Sequence, residues 1–280
     1  LEALPELPKI GFVITSRHNR KLKDMRRVRR CKDDRALIEG PHLVGEAVAS
    51  GTALEAVLAA PAFLAQPAGA DLRRRLDAAG VAWEEVEEDL LDAVMDADSP
   101  RGVAAIAHLP RPAAGDLPRH AGAVYVYADG IQDPGNLGAL ARSAEAAGAA
   151  ALALGPGCAH PNHPRALRAS AGSLLRLPAA RRVAAEAVER HLSDLAPRWA
   201  ALATRGGTAL WDCDLGGTLI LAVGAEGPGL SPAIEARAEV RLTIPLAAPV
   251  ESLNATVAAS LVLFEIRRRK APEAPAGPAP

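Results

Sequence analysis

The sequence predicts an α/β protein built from two units, and three observations carry that expectation. Short apolar runs alternate with apolar residues at helical spacing along most of the chain, the pattern of strand–helix–strand repeats. A stretch rich in proline and glycine, LPRPAAGDLPRHAG at 109–122, divides the alternation in two. The length of 280 residues, 49% of them apolar, suffices for two modest cores. The expected organisation is a small α/β unit over 11–108, a linker over 109–122 and a larger α/β unit over 123–270. Residues 1–10 read as a loose lead-in, and the Ala/Pro/Gly tail at 271–280 as disordered.

In the first unit, ALIE at 36–39 is a strand stopped by Gly40-Pro41. Leu43, Val44, Ala47 and Val48 then recur at helical spacing until Gly51. Strands follow at 54–60, 81–86 and 102–107, with helices at 71–79 and 90–95 between them. That order implies a small parallel or mixed sheet with helical cover. The second unit opens on the strand VYVYA at 124–128 and a helix at 136–147 closed by Gly148. A strand at 149–154 leads into a Pro/Gly/His loop at 155–164 and a helix at 165–175. A helix within 183–195 and strands at 199–204, 219–224 and 241–244 come next. A long helix spans 252–269, with Leu253, Val257, Leu261 and Phe264 along one side.

No apolar stretch approaches the roughly 20 residues that would span a bilayer. No basic start leads into an apolar run and cleavage site, so no secretory leader is expected. Cys31, Cys158 and Cys213 are odd in number and far apart, which argues against a disulfide framework and a structural zinc site. The expectation is a cytoplasmic protein without membrane or metal. A net charge of −1 does not by itself suggest a nucleic-acid partner, but the charge is unevenly spread. Between Ser16 and Arg35 lie ten lysines and arginines, among them Arg26, Arg27, Arg29 and Arg30, opposed by Asp24, Asp33 and Asp34. Such a run attracts phosphate chains, although a solvated helical face explains it equally well. Aromatic residues are only 3% of the chain, so base stacking would not dominate recognition.

Three loops follow carboxyl ends of strands, where open α/β sheets bind ligands. They are DGIQDPGNLGALAR at 129–142, GAEGPGL at 224–230 and IPLAAPVESLN at 244–254. Each alone has an ordinary explanation. Asp133-Pro134-Gly135-Asn136 is a good turn with Asn136 as a natural helix cap, Ser252 could cap the last helix, and the glycines could simply turn the chain.

In this order, the three resemble the motifs of the SpoU (TrmH-like) family of SPOUT-class RNA methyltransferases, over roughly 123–269. Leu246, Ala248 and Ala225 depart from the usual Met, Gly and Asn, and a loop position that needs positive φ would tolerate Ala248 poorly. SRHNRKLKDMRRVRR followed by ALIEGPHLVGEAV resembles the opening of the substrate-binding domain that precedes many members, which turns the basic run into an expected RNA contact. The resemblance implies a SPOUT domain with a trefoil knot, preceded by a small domain like ribosomal protein L30e. It implies a homodimer with its active site near the subunit boundary. It also implies S-adenosylmethionine as cofactor and methylation of a ribose 2′-hydroxyl. Many members act on ribosomal RNA and others on transfer RNA; the extra amino-terminal domain favours ribosomal RNA, with a transfer RNA methyltransferase as the alternative.

By the same resemblance, Asn136, Arg142, Glu226, Ser252 and Asn254 form the polar catalytic site. The cofactor would be held by Gly224, Glu226, Gly229, Ile244, Leu246, Ser252 and Leu253, mainly through backbone and apolar side chains. Arg26, Arg27, Arg29, Arg30, Arg165 and Arg168 are the expected RNA contacts, with Ser170 beside them. Arg142 is expected to position RNA and stabilise the hydroxyl as it loses its proton, since a guanidinium surrenders its own proton only at high cost. His160 and His163 read as solvated loop histidines rather than RNA contacts. Two other classes compete. A dinucleotide-binding dehydrogenase would need G-x-G-x-x-G after the 124–128 strand, where DGIQDPGNLG stands. A non-catalytic RNA-binding protein could dispense with the polar set.

Overall fold

The computed structural model describes residues 13–31, 33–95, 102–203 and 206–270. The expected lead-in at 1–10 and tail at 271–280 lie outside the described residues. The chain divides into two compact units between Leu109 and Pro110.

The first unit begins with α1 (Arg20–Val28), whose Asn19 side chain caps it by accepting from the Lys21 N–H at 2.8 Å. Leu22, Met25 and Val28 lie one turn apart and are buried, which leaves the basic residues on the other faces. β1 (Arg35–Glu39), α2 (Pro41–Ala49), β2 (Leu54–Ala59), α3 (Pro61–Leu64) and α4 (Pro67–Ala78) follow. Proline opens each of α2, α3 and α4, in the first turn, where its missing N–H removes no helical bond. β3 (Trp83–Glu85), α5 (Glu88–Asp92) and β4 (Val103–His108) complete the unit. The sheet order is β1-β4-β2-β3, antiparallel except for the parallel β2–β3 pair, so it is mixed.

The second unit contains β5 (Val124–Asp129), α6 (Pro134–Ala147), β6 (Ala151–Leu154), α7 (Pro164–Ser170), α8 (Ser173–Arg176), β7 (Ala179–Arg181) and α9 (Ala185–Leu192). It continues with β8 (Arg198–Leu202), β9 (Thr208–Ala209), β10 (Leu219–Gly224), α10 (Pro232–Glu235), β11 (Val240–Thr243) and α11 (Ala255–Lys270). The sheet order is β7-β6-β5-β10-β8-β11-β9, with every pair parallel. Parallel sheets are covered on both faces, and the central strands are accordingly runs of apolar residues rather than alternations. Tyr127 and Trp199 meet edge to face in one core layer with ring centroids 5.3 Å apart.

Several expectations need revision. The segment expected as a linker is bound into the second unit. Arg111 donates to Asn162 Oδ1 (2.7 Å) and to the Leu174 carbonyl (2.8 Å), Leu117 is buried in the core, and Tyr125 Oη donates to the Pro118 carbonyl. The single helix expected at 165–175 breaks into α7 and α8, because Ala171 and Gly172 both take left-handed backbone (φ 47° and 95°). Val257, Leu261 and Phe264 do share one side of α11, and that side faces away from the core. These three are 50%, 42% and 49% exposed, whereas Thr256, Ala259, Val262, Leu263 and Ile266 are buried. No helix among the described residues is long and apolar enough to cross a membrane.

Candidate active site

β5 and β10 are neighbours, and their last residues, Asp129 and Gly224, stand opposite each other. The loops that leave them therefore start side by side. Asp129 Oδ2 accepts from the Ser231 N–H at 2.7 Å and fixes the far end of the β10 loop. Within that loop Ala225 and Gly229 exchange both backbone hydrogen bonds (3.1 and 3.0 Å), leaving Glu226, Gly227 and Pro228 at its tip. A Cβ on Gly224 would lie 2.3 Å from the Gly229 carbonyl carbon, so only glycine permits this close return of the backbone.

The two helices at the site are capped by residues other than those expected. Asp133, not Asn136, caps α6 by accepting from the Asn136 N–H at 2.9 Å. Asn254, not Ser252, caps α11: its Oδ1 accepts from the N–H groups of Thr256 (2.9 Å) and Val257 (3.2 Å). Three residues of carboxamide or carboxylate then cluster. Asn254 Nδ2 donates to Glu226 and, at 3.4 Å, to Asn136 Oδ1. Thr256 Oγ1 donates to the Asn136 carbonyl (3.2 Å), and Ser260 Oγ to Ser143 Oγ (2.7 Å), so α11 is pinned along α6. The α6–α7 contact is equally close, since a Cβ on Gly138 would lie 2.2 Å from the Ala166 carbonyl oxygen.

Two cavities flank this cluster. The larger, about 410 Å³, is lined by Gly224, Glu226, Gly229, Ile244, Leu246, Ser252, Leu253 and Asn254, with Leu202, Ala203 and Ala258 behind them. The smaller, about 260 Å³, is lined by Gly130, Gln132, Asp133, Asn136, Glu226 and Thr256. All the residues expected to hold the cofactor thus border one cavity. Of the expected catalytic residues, Asn136, Glu226 and Asn254 come together and Ser252 lies on the wall of the larger cavity. Arg142 does not join them. It is exposed on α6 and lines neither cavity. Ala248 is absent from the described non-glycine residues with positive φ, so the alanine imposes no left-handed strain.

The expected RNA contacts fare unevenly. Arg26, Arg27 and Arg30 are exposed, with Arg27 paired to Asp24 at 3.2 Å, whereas Arg29 is half-buried. Arg165 pairs with the α6 cap Asp133 at 3.2 Å, and Arg168 is half-buried. Ser170 is no surface contact: it is fully buried, donating to the Leu167 carbonyl and accepting from the Leu174 N–H across the α7–α8 break. His160 is not a solvated loop residue either, because its Nε2 is buried. The site also takes in Asp129, Asp133 and Thr256, which lie outside the expected site residues. The signal for the aspartates was their position, one at a strand end and one just before a Pro-Gly turn. No group of metal-ligating side chains occurs among the described residues.

Residues 123–264 match the model of the SpoU rRNA Methylase family. The chain belongs to that family. Residues 17–105 match the MRM3-like substrate binding domain. The chain is 30% identical over 258 residues to the Bacillus subtilis 23S rRNA (guanosine(2553)-2′-O)-methyltransferase RlmP, covering 91% of this chain and 98% of that protein. Among solved structures it is similar to the SpoU methyltransferase AviRb from Streptomyces viridochromogenes in complex with AdoMet (25% identity, TM-score 0.80, 90% of this chain and 98% of that one). It is likewise similar to an AdoMet-bound rRNA methyltransferase from Sinorhizobium meliloti (27% identity, TM-score 0.80, 93% and 99%). As a SpoU-family member the chain is an S-adenosylmethionine-dependent RNA methyltransferase.

Proposed function

We propose that this protein methylates a ribose 2′-hydroxyl of ribosomal RNA. The observation that carries the reading is the Asn136–Glu226–Asn254 cluster at the junction of the two cavities. The larger cavity fits S-adenosylmethionine in chemistry. Ile244, Leu246 and Leu253 supply apolar wall, and the tight Gly224–Gly229 return brings backbone to the cavity's edge. When bound there, the cofactor supplies a methyl group on a cationic sulfur. The smaller cavity, where Gln132, Asp133, Asn136 and Thr256 stand beside Ile131 and Pro228, suits the ribose. Asn136 and Glu226 would orient the hydroxyl, and Asn254 would hold Glu226 in place. Arg142 would clamp an RNA phosphate and stabilise the developing alkoxide. Arg26, Arg27 and Arg30 would contact RNA through its phosphates.

The assembly proposed is a homodimer through the second unit, with the site near the subunit boundary. The exposed stripe Val257–Leu261–Phe264 supports it, since it begins one turn from Asn254, and so does an Arg142 that its own chain leaves outside the cluster. The proposed topology is a trefoil knot in the second unit, supported by the packing of α11 on both α6 and β10. The first unit is read as L30e-like and the place of action as the cytoplasm. Transfer of radiolabelled methyl from S-adenosylmethionine to ribosomal RNA, followed by mapping of 2′-O-methyl positions, tests the function. Label on a base, or on transfer RNA alone, would overturn it. Light scattering on the purified chain tests the dimer.

A further inference from the structure

The sheet carries a third cavity on the far side of β5 from the two described. It is about 120 Å³, sits at the carboxyl ends of β6 and β7, and is lined by Leu154, Gly155, Cys158, His160, Arg181 and Arg182. Its charge is unusual. Neither Arg181 nor Arg182 makes a side-chain hydrogen bond or ion pair with any described residue. The Arg182 backbone is left-handed (φ 55°), a costly conformation for arginine that fixes where its side chain departs.

His160 supplies a third donor. Its Nδ1 accepts from the Asn162 N–H at 3.0 Å, which places the proton on Nε2. That Nε2 is buried and meets no acceptor among the described residues. Burial, reinforced by Arg181, Arg111 and Arg182, lowers the imidazole to about 4, so it stands as a neutral N–H donor. Cys158, held up by burial, adds a neutral thiol wall.

We infer that this cavity binds a phosphate group, gripped by Arg181, Arg182 and the His160 Nε2–H, and that the group is a phosphodiester of the RNA substrate. Two guanidinium forks and one neutral donor match a phosphate's acceptors, and a buried, unpartnered donor gains most from an anionic one. The assignment to RNA rests on the function proposed above and on location. The loop holding His160 is tied to the loop after β5 by the Ala159 N–H to Ile131 carbonyl bond (2.8 Å) and by Cys158 Sγ to the Ala128 carbonyl. With strands about 5 Å apart, the cavity at β6–β7 lies about two strand spacings from the cluster at β5–β10, on the same rim.

The test has two arms on the full chain. In the first, side-chain nitrogen NMR follows His160 during titration with inorganic phosphate and, separately, with an RNA oligonucleotide that the protein binds. Both should shift His160 saturably, leaving His191 unmoved. In the second, R182N, which suits the left-handed backbone, and R181Q/R182N are compared with wild type for RNA affinity across salt concentrations. The double variant should bind RNA about tenfold more weakly at low salt, with a salt slope lower by about one, while affinity for S-adenosylmethionine stays unchanged. A His160 silent to both ligands overturns the site. A His160 that answers phosphate, with RNA affinity and slope unchanged in both variants, overturns the RNA assignment. Absence of methyl transfer by the wild type is a separate result that bears on the enzymatic reading, because the phosphate titration needs no turnover.

Discussion

Asn254 serves two structures at once: its carbonyl oxygen caps α11, and its amide nitrogen holds the Glu226 carboxylate. The helix end and the polar cluster are therefore one object, and substitutions can separate the two roles. Asn254→Ala should lose both, lowering stability by about 1 kcal/mol through the cap and loosening Glu226. Asn254→Asp keeps a good cap but places a carboxylate against Glu226. It should melt near the wild-type temperature yet lose most turnover. Thermal melts beside methyl-transfer rates check this; near-normal turnover in Asn254→Asp, or equal melting temperatures of the two variants, would refute it.

Gly224→Ala should open the β10 loop. The added Cβ meets backbone rather than a flexible side chain, so strain of about 1–3 kcal/mol is expected. Calorimetry should show S-adenosylmethionine affinity reduced by tenfold or more, with a lower melting temperature.

Arg142→Ala and Arg142→Lys should each cost about 10²–10³ in rate, because lysine keeps the charge but loses the planar fork. The residue is exposed and outside the core, so both variants should fold and bind cofactor normally. Single-turnover rates decide the matter, and near-normal turnover in Arg142→Ala would remove the residue from the chemistry.

Of the four arginines around the end of α1, three face solvent. Replacing Arg26, Arg27 and Arg30 with Ala should weaken RNA binding and flatten its salt dependence without changing the melting temperature. Replacing the half-buried Arg29 should instead lower the melting temperature.

His160 predicts a pH dependence. Its folded value of about 4 lies below the 6.5 of an unperturbed imidazole, for burial disfavours the charged form. Between those values the unfolded chain binds a proton that the folded chain refuses, so stability falls as pH drops through that window. Urea denaturation in phosphate-free buffer at pH 7 and pH 5 should show His160→Gln losing less stability than wild type. Parallel losses would contradict a buried neutral imidazole.

The sequence made the strand–helix alternation legible because buried parallel strands are short apolar runs and Gly40, Gly51 and Gly148 punctuate them. It made the cofactor wall legible because the three loops carry contiguous motifs. What it hid was three-dimensional. Which face of α11 is buried depends on α6 and β10, and the heptad-like Val257–Leu261–Phe264 spacing marks a side that stays exposed. β7 and β9 are three and two residues long, too short for any periodicity to register. Capping went to Asp133 and Asn254 because the chain enters each helix later or earlier than residue type alone indicates. Nothing in a Pro/Gly/His loop distinguishes a buried His160 from a solvated one.

The all-parallel sheet of the second unit has a consequence in time. Parallel neighbours cannot be joined by a hairpin, so every pairing awaits a crossover. β5 must also accept β10 from 95 residues downstream, as Val124 pairs with Leu219. Asn136 must likewise wait for Asn254, 118 positions away. Such distant closures forfeit chain entropy before any contact repays it, which slows folding. The polar cluster is thus a late product of folding: refolding followed by core fluorescence at Trp199 should run ahead of recovery of cofactor binding.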